Sequence, residues 1–126
     1  MPSGDAIDKR CYAFSLRIIK AYKYLSGEKN EYIMSKQLLR CGTSIGALVC
    51  EAKFAQSRAD FTSKMSIALK EANETIYWID LLHDSEYIHD NVHASIRREA
   101  DEITAILAAI VKTTKANTLK YDSKKL

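Results

Sequence analysis

With 126 residues, one Pro, four Gly and 47% hydrophobic residues, the sequence excludes a collagen-like or disordered chain and suffices for one core, not two. Its net charge of +3 is too small to mark a nucleic-acid partner by itself. No apolar run approaches the ~18 residues of a membrane span, and the N-terminal MPSGDAIDKR lacks the apolar stretch of a signal peptide, so a cytoplasmic, all-α protein away from membranes is expected.

A first helix is predicted over about 5–26, where Ile7, Cys11, Phe14, Ile18, Tyr22 and Leu25 recur every three or four residues and form one apolar stripe. Gly27, with Lys29 and Asn30, supplies its stop. The second helix is expected over about 32–56, with Met34, Leu38, Cys41, Ile45, Leu48 and Ala52 in phase. That phase runs unbroken through Gly42-Thr-Ser-Ile-Gly46, so this cluster reads as helix with a close-approach face, each Gly costing about 1 kcal/mol against Ala.

Ser57-Arg-Ala-Asp60 has capping-box spacing and opens a third helix over 58–84, carrying Phe61, Met65, Ala68, Ala72, Ile76, Ile79 and Leu82. After the polar link HDSEYIHD, a fourth helix is predicted over about 90–116 through Val92, Ile96, Ala100, Ile103, Leu107 and Ile110. From residue 117 to 126 the period is lost and lysines gather, which reads as a basic flexible tail. Short links favour an antiparallel up-down-up-down four-helix bundle. Cys11, Cys41 and Cys50, with no CxxC spacing and apolar neighbours, read as buried free thiols.

Catalytic patterns fail on context. Ser44 in G-T-S-I-G has the spacing of a nucleophile elbow but sits inside a helical period, and the glycines do not lead into Gly-Lys-Ser/Thr. A di-iron bundle requires two Glu-x-x-His motifs; the chain offers only Glu86-Tyr-Ile-His89, at a link, and His83, His89 and His93 lack positioned co-ligands. No catalytic residue, metal or cofactor is therefore expected. Arg40, Ser44, Glu51, Lys64, Glu71 and Glu74 instead suggest a buried polar network that sets helix register. Arg10, Arg17, Lys20 and Lys23 on the first helix, with Lys112, Lys115 and Lys120 near the chain end, are candidate phosphate contacts if the first and last helices adjoin.

The stretches LLRCGTSIGALVCEA (38–52) and SRADFTSKMSIALKEANETIYWIDLL (57–82) resemble the bacterial four-helix-bundle proteins of the 23S rRNA intervening sequence, also termed S23 ribosomal proteins. The resemblance implies a homopentameric ring and kinship with the accessory variability protein of diversity-generating retroelements, which binds nucleic acid and a reverse transcriptase. It transfers no catalytic residues. One departure is Leu48, where relatives commonly carry Asn. The expected function is a non-enzymatic, oligomeric accessory or scaffold protein that binds RNA or DNA; the alternative is a purely structural or protein-interaction ring, and a carboxylate-metal enzyme ranks last.

Overall fold

The computed structural model describes residues 3–125, with side chains from Ile7 to Lys120. Four helices follow one another: α1 (Ser3–Gly27), α2 (Met34–Ala52), α3 (Arg58–Asp84) and α4 (Asp90–Lys125). Each packs on its neighbour in the chain, and α4 returns to α1 along a much thinner seam. Contacts along the first two seams run in opposite order: Gly42 and Gly46 of α2 meet Ile18 and Cys11 of α1, and Arg40 and Glu51 of α2 meet Glu71 and Lys64 of α3.

The expected stripes supply most of the core. Ile7, Cys11, Phe14, Ile18 and Leu25 meet Leu38, Ile45, Val49, Met65, Ala68, Ala72, Ile79, Leu82, Ile96, Ala100, Ile103 and Leu107, all nearly inaccessible. Fully burying one such Ile or Leu contributes about 1.5–3 kcal/mol, enough for the stripes to decide which helix faces turn inward. Leu48 packs partly buried against this core, an apolar contact at the position where the resemblance leads one to expect Asn.

The ends of the helices depart from expectation in instructive ways. Gly27 does not take the left-handed conformation; Asn30 does, at φ 53°, and it turns the chain so that the Glu31 N–H reaches the Leu25 carbonyl at 2.9 Å. α2 starts two residues later than expected because the Glu31 carboxylate accepts the N–H groups of Ile33 and Met34, each at 3.1 Å, and of Ser35 at 2.7 Å. These donors would otherwise be unsatisfied at a helix start.

α2 also ends at Ala52 rather than near residue 56. Ser57 caps α3 from an extended backbone, its Oγ accepting the Asp60 N–H at 3.0 Å, while Asp60 accepts the Gln56 N–H at 3.2 Å. The chain must leave helical geometry before Ser57 to reach that conformation, and Phe54 is left 82% exposed in the turn. At the other end of α3, the Glu86 N–H reaches the His83 carbonyl and the Tyr87 N–H reaches the Leu82 carbonyl, both at 2.9 Å, with Glu86 left-handed at φ 71°. This is the Schellman closure, made here with a residue that has a Cβ.

The largest difference lies in α4, which continues to Lys125 where the sequence reading ends it at 116; Leu126 lies outside the described residues. No Gly or Pro follows Asp90, so loss of the apolar period removes packing without interrupting the backbone bonds. Thr118 accordingly donates its hydroxyl back to the Thr114 carbonyl at 2.8 Å, as Thr does inside a helix.

Candidate functional site

The α2–α3 seam gathers half of the expected polar network. Arg40 reaches Glu71 at 3.0 Å through Nη1 and Glu74 through Nη2, and the Trp78 indole N–H donates to the same Glu74 oxygen at 3.0 Å. The Trp78 and Arg40 donors hold the Glu74 carboxyl below its usual range. Lys64 stands 3.5 Å from Glu51 farther along the seam, in a separate pair. Ser44 joins neither; its hydroxyl donates to the Arg40 carbonyl at 2.6 Å in its own helix.

The cluster is not buried, which corrects the expectation: the Arg40 side chain is 50% exposed, and Glu51 is more exposed still. Arg and Lys stems follow the seam while their heads remain in water, so the network latches the seam from outside the core. Close approach of α2 is directed instead toward α1, where Gly42 faces Ile18 and Gly46 faces Cys11. This fits the reading of the glycine cluster as a close-approach face.

The expected basic strip is divided. Arg10 pairs with Glu102 at 2.7 Å, and Arg17 pairs with Glu99 while donating to Ser95 Oγ at 2.8 Å. Both arginines therefore bridge α1 to α4, with their charge offset by α4 carboxylates. Lys20 lies near His89 and Val92, at one end of the bundle, with Lys23 one turn further on; Lys115 lies beside Ala59, Thr62 and Ser66, at the other. Val92 and Lys112 are separated along α4 by about 30 Å at 1.5 Å per residue. Lys20, Lys23, Lys112, Lys115 and Lys120 are all exposed.

Where α3 meets the start of α4, the His83 and His93 rings stack with centroids 4.0 Å apart. His83 faces Asp84 through Nδ1 at 3.0 Å and Asp90 through Nε2 at 2.7 Å; these hydrogen bonds, that to Asp90 first, raise its pKa. His93 Nε2 faces Asp80 at 2.8 Å, and Arg97 donates to the other Asp80 oxygen at 2.6 Å. Burial pushes the Asp80 carboxyl up, but His93 and Arg97 outweigh it and hold it below its usual range. Thus His83 closes α3 and His93 lies in the first turn of α4, as the predicted bounds of those helices have it, while the stacking of their rings is not visible in the sequence. His89 is exposed, as is Glu86 in the adjoining turn. Among the described residues no three His, Cys, Asp or Glu side chains converge as a metal site would require.

Among the described residues, an apolar groove and an apolar ridge are left uncovered by the rest of the bundle. An open groove of about 670 Å³ runs between α1 and α2, bordered by Tyr12, Leu16, Ile19, Thr43, Ala47 and Cys50. Tyr12 is 70% exposed and Leu16 54%. Cys50 is exposed here, unlike Cys11 and Cys41. The expectation of three buried thiols fails because Cys50 follows Cys41 by nine residues, about two and a half turns, and so faces the opposite side of α2. Burial first, then the Asp8 charge against that of Arg10, pushes the Cys11 thiol to about 12 and keeps it protonated. The second face is a ridge on α3, where Ile67, Tyr77 and Leu81 remain exposed within one narrow arc of the helix.

None of the described helices is long and apolar enough to cross a membrane. No curated protein matches the chain. A crystal structure from Bacteroides thetaiotaomicron, described as a protein of unknown function from the S23 ribosomal protein family, is 48% identical, with a TM-score of 0.86 over 87% of this chain and 98% of that one. The model of the 23S rRNA-intervening sequence protein family matches residues 6–109, which takes in the glycine-faced α2, the capped α3 and the greater part of α1 and α4. On that match the chain belongs to the 23S rRNA-intervening sequence protein family.

Proposed function

We propose that the protein is a non-enzymatic scaffold that assembles with copies of itself, the α1–α2 groove of one copy receiving the α3 ridge of the next. The carrying observation is the pair of unpartnered apolar faces on different sides of one small bundle, Tyr12 and Leu16 on one and Tyr77 and Leu81 on the other. Exposed apolar surface of this kind marks an interaction site, and a head-to-tail contact between two unlike patches generates a ring where its rotation closes. The resemblance sets the expected ring at five copies.

Light-scattering mass measurement at micromolar concentration tests this reading. The wild-type chain is expected as a closed oligomer, while Leu16→Glu and Tyr77→Glu are each monomeric. Mixing the two variants should give a dimer and nothing larger, because one intact groove then meets one intact ridge. A wild-type monomer overturns the proposal, and so does a mixture that stays monomeric.

Nucleic-acid binding is a second reading, favoured by Lys112, Lys115 and Lys120 on exposed turns of α4 with no acid in ion-pair distance among the described side chains. It predicts RNA or DNA affinity that falls as salt rises and weakens in a Lys112→Glu, Lys115→Glu variant. Absence of binding at low salt, or affinity indifferent to salt, rejects it.

A further inference from the structure

We infer that the cleft between α1 and α4 is a binding site for a small amphipathic carboxylate, one slender apolar body carrying one negative charge. The cleft holds about 400 Å³, within the range of small-molecule sites, and its walls are Ala21, Tyr24, Ile88, Val92 and Ile96. Its polar residues are Arg17, Lys20 and His89, and no carboxylate lines it. An apolar slot with cationic side chains at its edge fits an anion whose tail is hydrophobic.

The packing explains why the space exists. The α1–α4 seam is the thinnest in the bundle, and Arg17 occupies it with a bridge to Glu99 and Ser95 instead of an apolar side chain. That bridge spans the seam, and on the side toward the chain turn at residues 85–89 the small Ala21 leaves the space beside Val92 and Ile96 unfilled. Ile96 is buried, whereas Val92 remains 44% exposed along the opening.

The charges divide the work. Arg17 is neutralised by Glu99 and serves as an oriented wall. Lys20 is exposed and has no acid within ion-pair distance among the described residues, so its ammonium is available to an incoming carboxylate. Lys29 does not line the cleft, but its ammonium stands 5.8 Å from the ring centroid of the wall residue Tyr24 and adds to the local positive charge. A charge-assisted hydrogen bond from Lys20 distinguishes an acid from the neutral alcohol with the same tail.

Calorimetric titration of the full chain with decanoate and with decanol tests the site. Saturable binding of one decanoate per chain is expected, with decanol at least about tenfold weaker. Lys20→Gln should remove that preference and leave decanol unchanged, while Ala21→Leu should abolish both by filling the slot. Val92→Phe serves the same purpose at an exposed position should Ala21→Leu fail to fold. Unsaturable uptake overturns the inference, as does equal affinity for acid and alcohol or binding indifferent to Val92→Phe. Decanoate that binds only to the Leu16→Glu monomer also overturns it, because the cleft is then filled by a second copy in the assembly. The assembly mass is read separately, so failure here leaves the scaffold reading standing, and the converse holds.

Discussion

Gly42 of α2 lies against Ile18 of α1 so closely that a Cβ on the glycine would stand 2.9 Å from both Ile18 Cγ1 and Cγ2. Ile18 is fully buried, and a β-branched side chain in a helix has little rotamer freedom with which to yield. Gly42→Ala gains about 1 kcal/mol of helix propensity but incurs about 1–3 kcal/mol of overpacking, for a net loss of about 1 kcal/mol. At Gly46 the nearest atom, the Cys11 Cβ, would stand 3.3 Å away, a contact that asks for a smaller shift, so Gly46→Ala should cost less than Gly42→Ala, with the propensity gain of about 1 kcal/mol offsetting more of it. Urea midpoints of both variants check the contrast. In an Ile18→Ala background, Gly42→Ala should become stabilising.

Glu31 is buried beneath the first turn of α2, and its carboxylate receives the Ile33, Met34 and Ser35 N–H groups. Burial raises its pKa, but the hydrogen bonds from Ser35, Met34 and Ile33 outweigh burial and leave it lowered. A lowered folded pKa gives stability that is fully present above the unfolded value near 4.3 and is lost as pH falls through the folded value. Glu31→Gln should therefore lose about 1 kcal/mol at pH 7, with the gap to wild type closing below about pH 4.5. A gap that persists in acid argues that charge is not what caps the helix.

The latch of Arg40 on Glu71 and Glu74 is solvated, with Arg40 half exposed. A double-mutant cycle between Arg40→Ala and Glu74→Ala should give a coupling of about 0.5–1 kcal/mol, in the range of exposed ion pairs. Glu74→Ala also removes the acceptor of the Trp78 indole, so the emission of this single tryptophan should shift in that variant. Coupling of several kcal/mol would place the latch in the core after all.

Glu86 occupies a left-handed position that Gly takes without strain. Glu86→Gly should stabilise the chain by about 0.5–1 kcal/mol, since removing the Cβ relieves more than the added flexibility of the unfolded state costs. A thermal midpoint that falls would show that the Glu86 side chain makes a contribution larger than its backbone strain.

His83 faces two carboxylate oxygens, and a ring with acceptors on both nitrogens is satisfied only when both carry protons. Its hydrogen bonds to Asp90 and Asp84 raise its pKa, so this contribution is complete below the unfolded value of about 6.5 and is lost as pH rises through the folded value. In a proton NMR titration His83 should show a midpoint above the ordinary histidine range, and Asp90→Asn should lower it. An unshifted midpoint would show that Asp84 and Asp90 do not favour the charged ring.

Much of this was legible in the sequence because it depends on period. Gly42 to Gly46 kept the phase of Cys41 and Ile45, and that phase sufficed to read helix and close approach. The Ser57 cap was equally local, a hydroxyl three residues from the N–H it accepts. Illegible were features that depend on how distant helices register: nothing near Arg17 announces Glu99, which lies 82 residues away. Phosphate-seeking bases and structural ion pairs look alike until that register is known. Glu31 had a local signal, an acid placed two to four residues before the first free N–H groups of a helix, but it lies outside the usual capping-box spacing. The apolar neighbours of Cys50 suggest burial, but its position around α2, opposite the buried Cys41, turns its thiol to the surface.

The unequal seams also bear on how the chain folds. Three of the four join helices consecutive in sequence, so each forms by closing a helical hairpin across a short turn, a low-contact-order route that favours rapid folding. The fourth brings together residues 78 to 92 positions apart, and Arg10 and Arg17 bridge it with ion pairs and a hydrogen bond. If that closure forms after the barrier, changes at Arg10 or Arg17 should accelerate unfolding while leaving the folding rate nearly untouched. The arginines on α1 thus become determinants of how long the closed bundle persists.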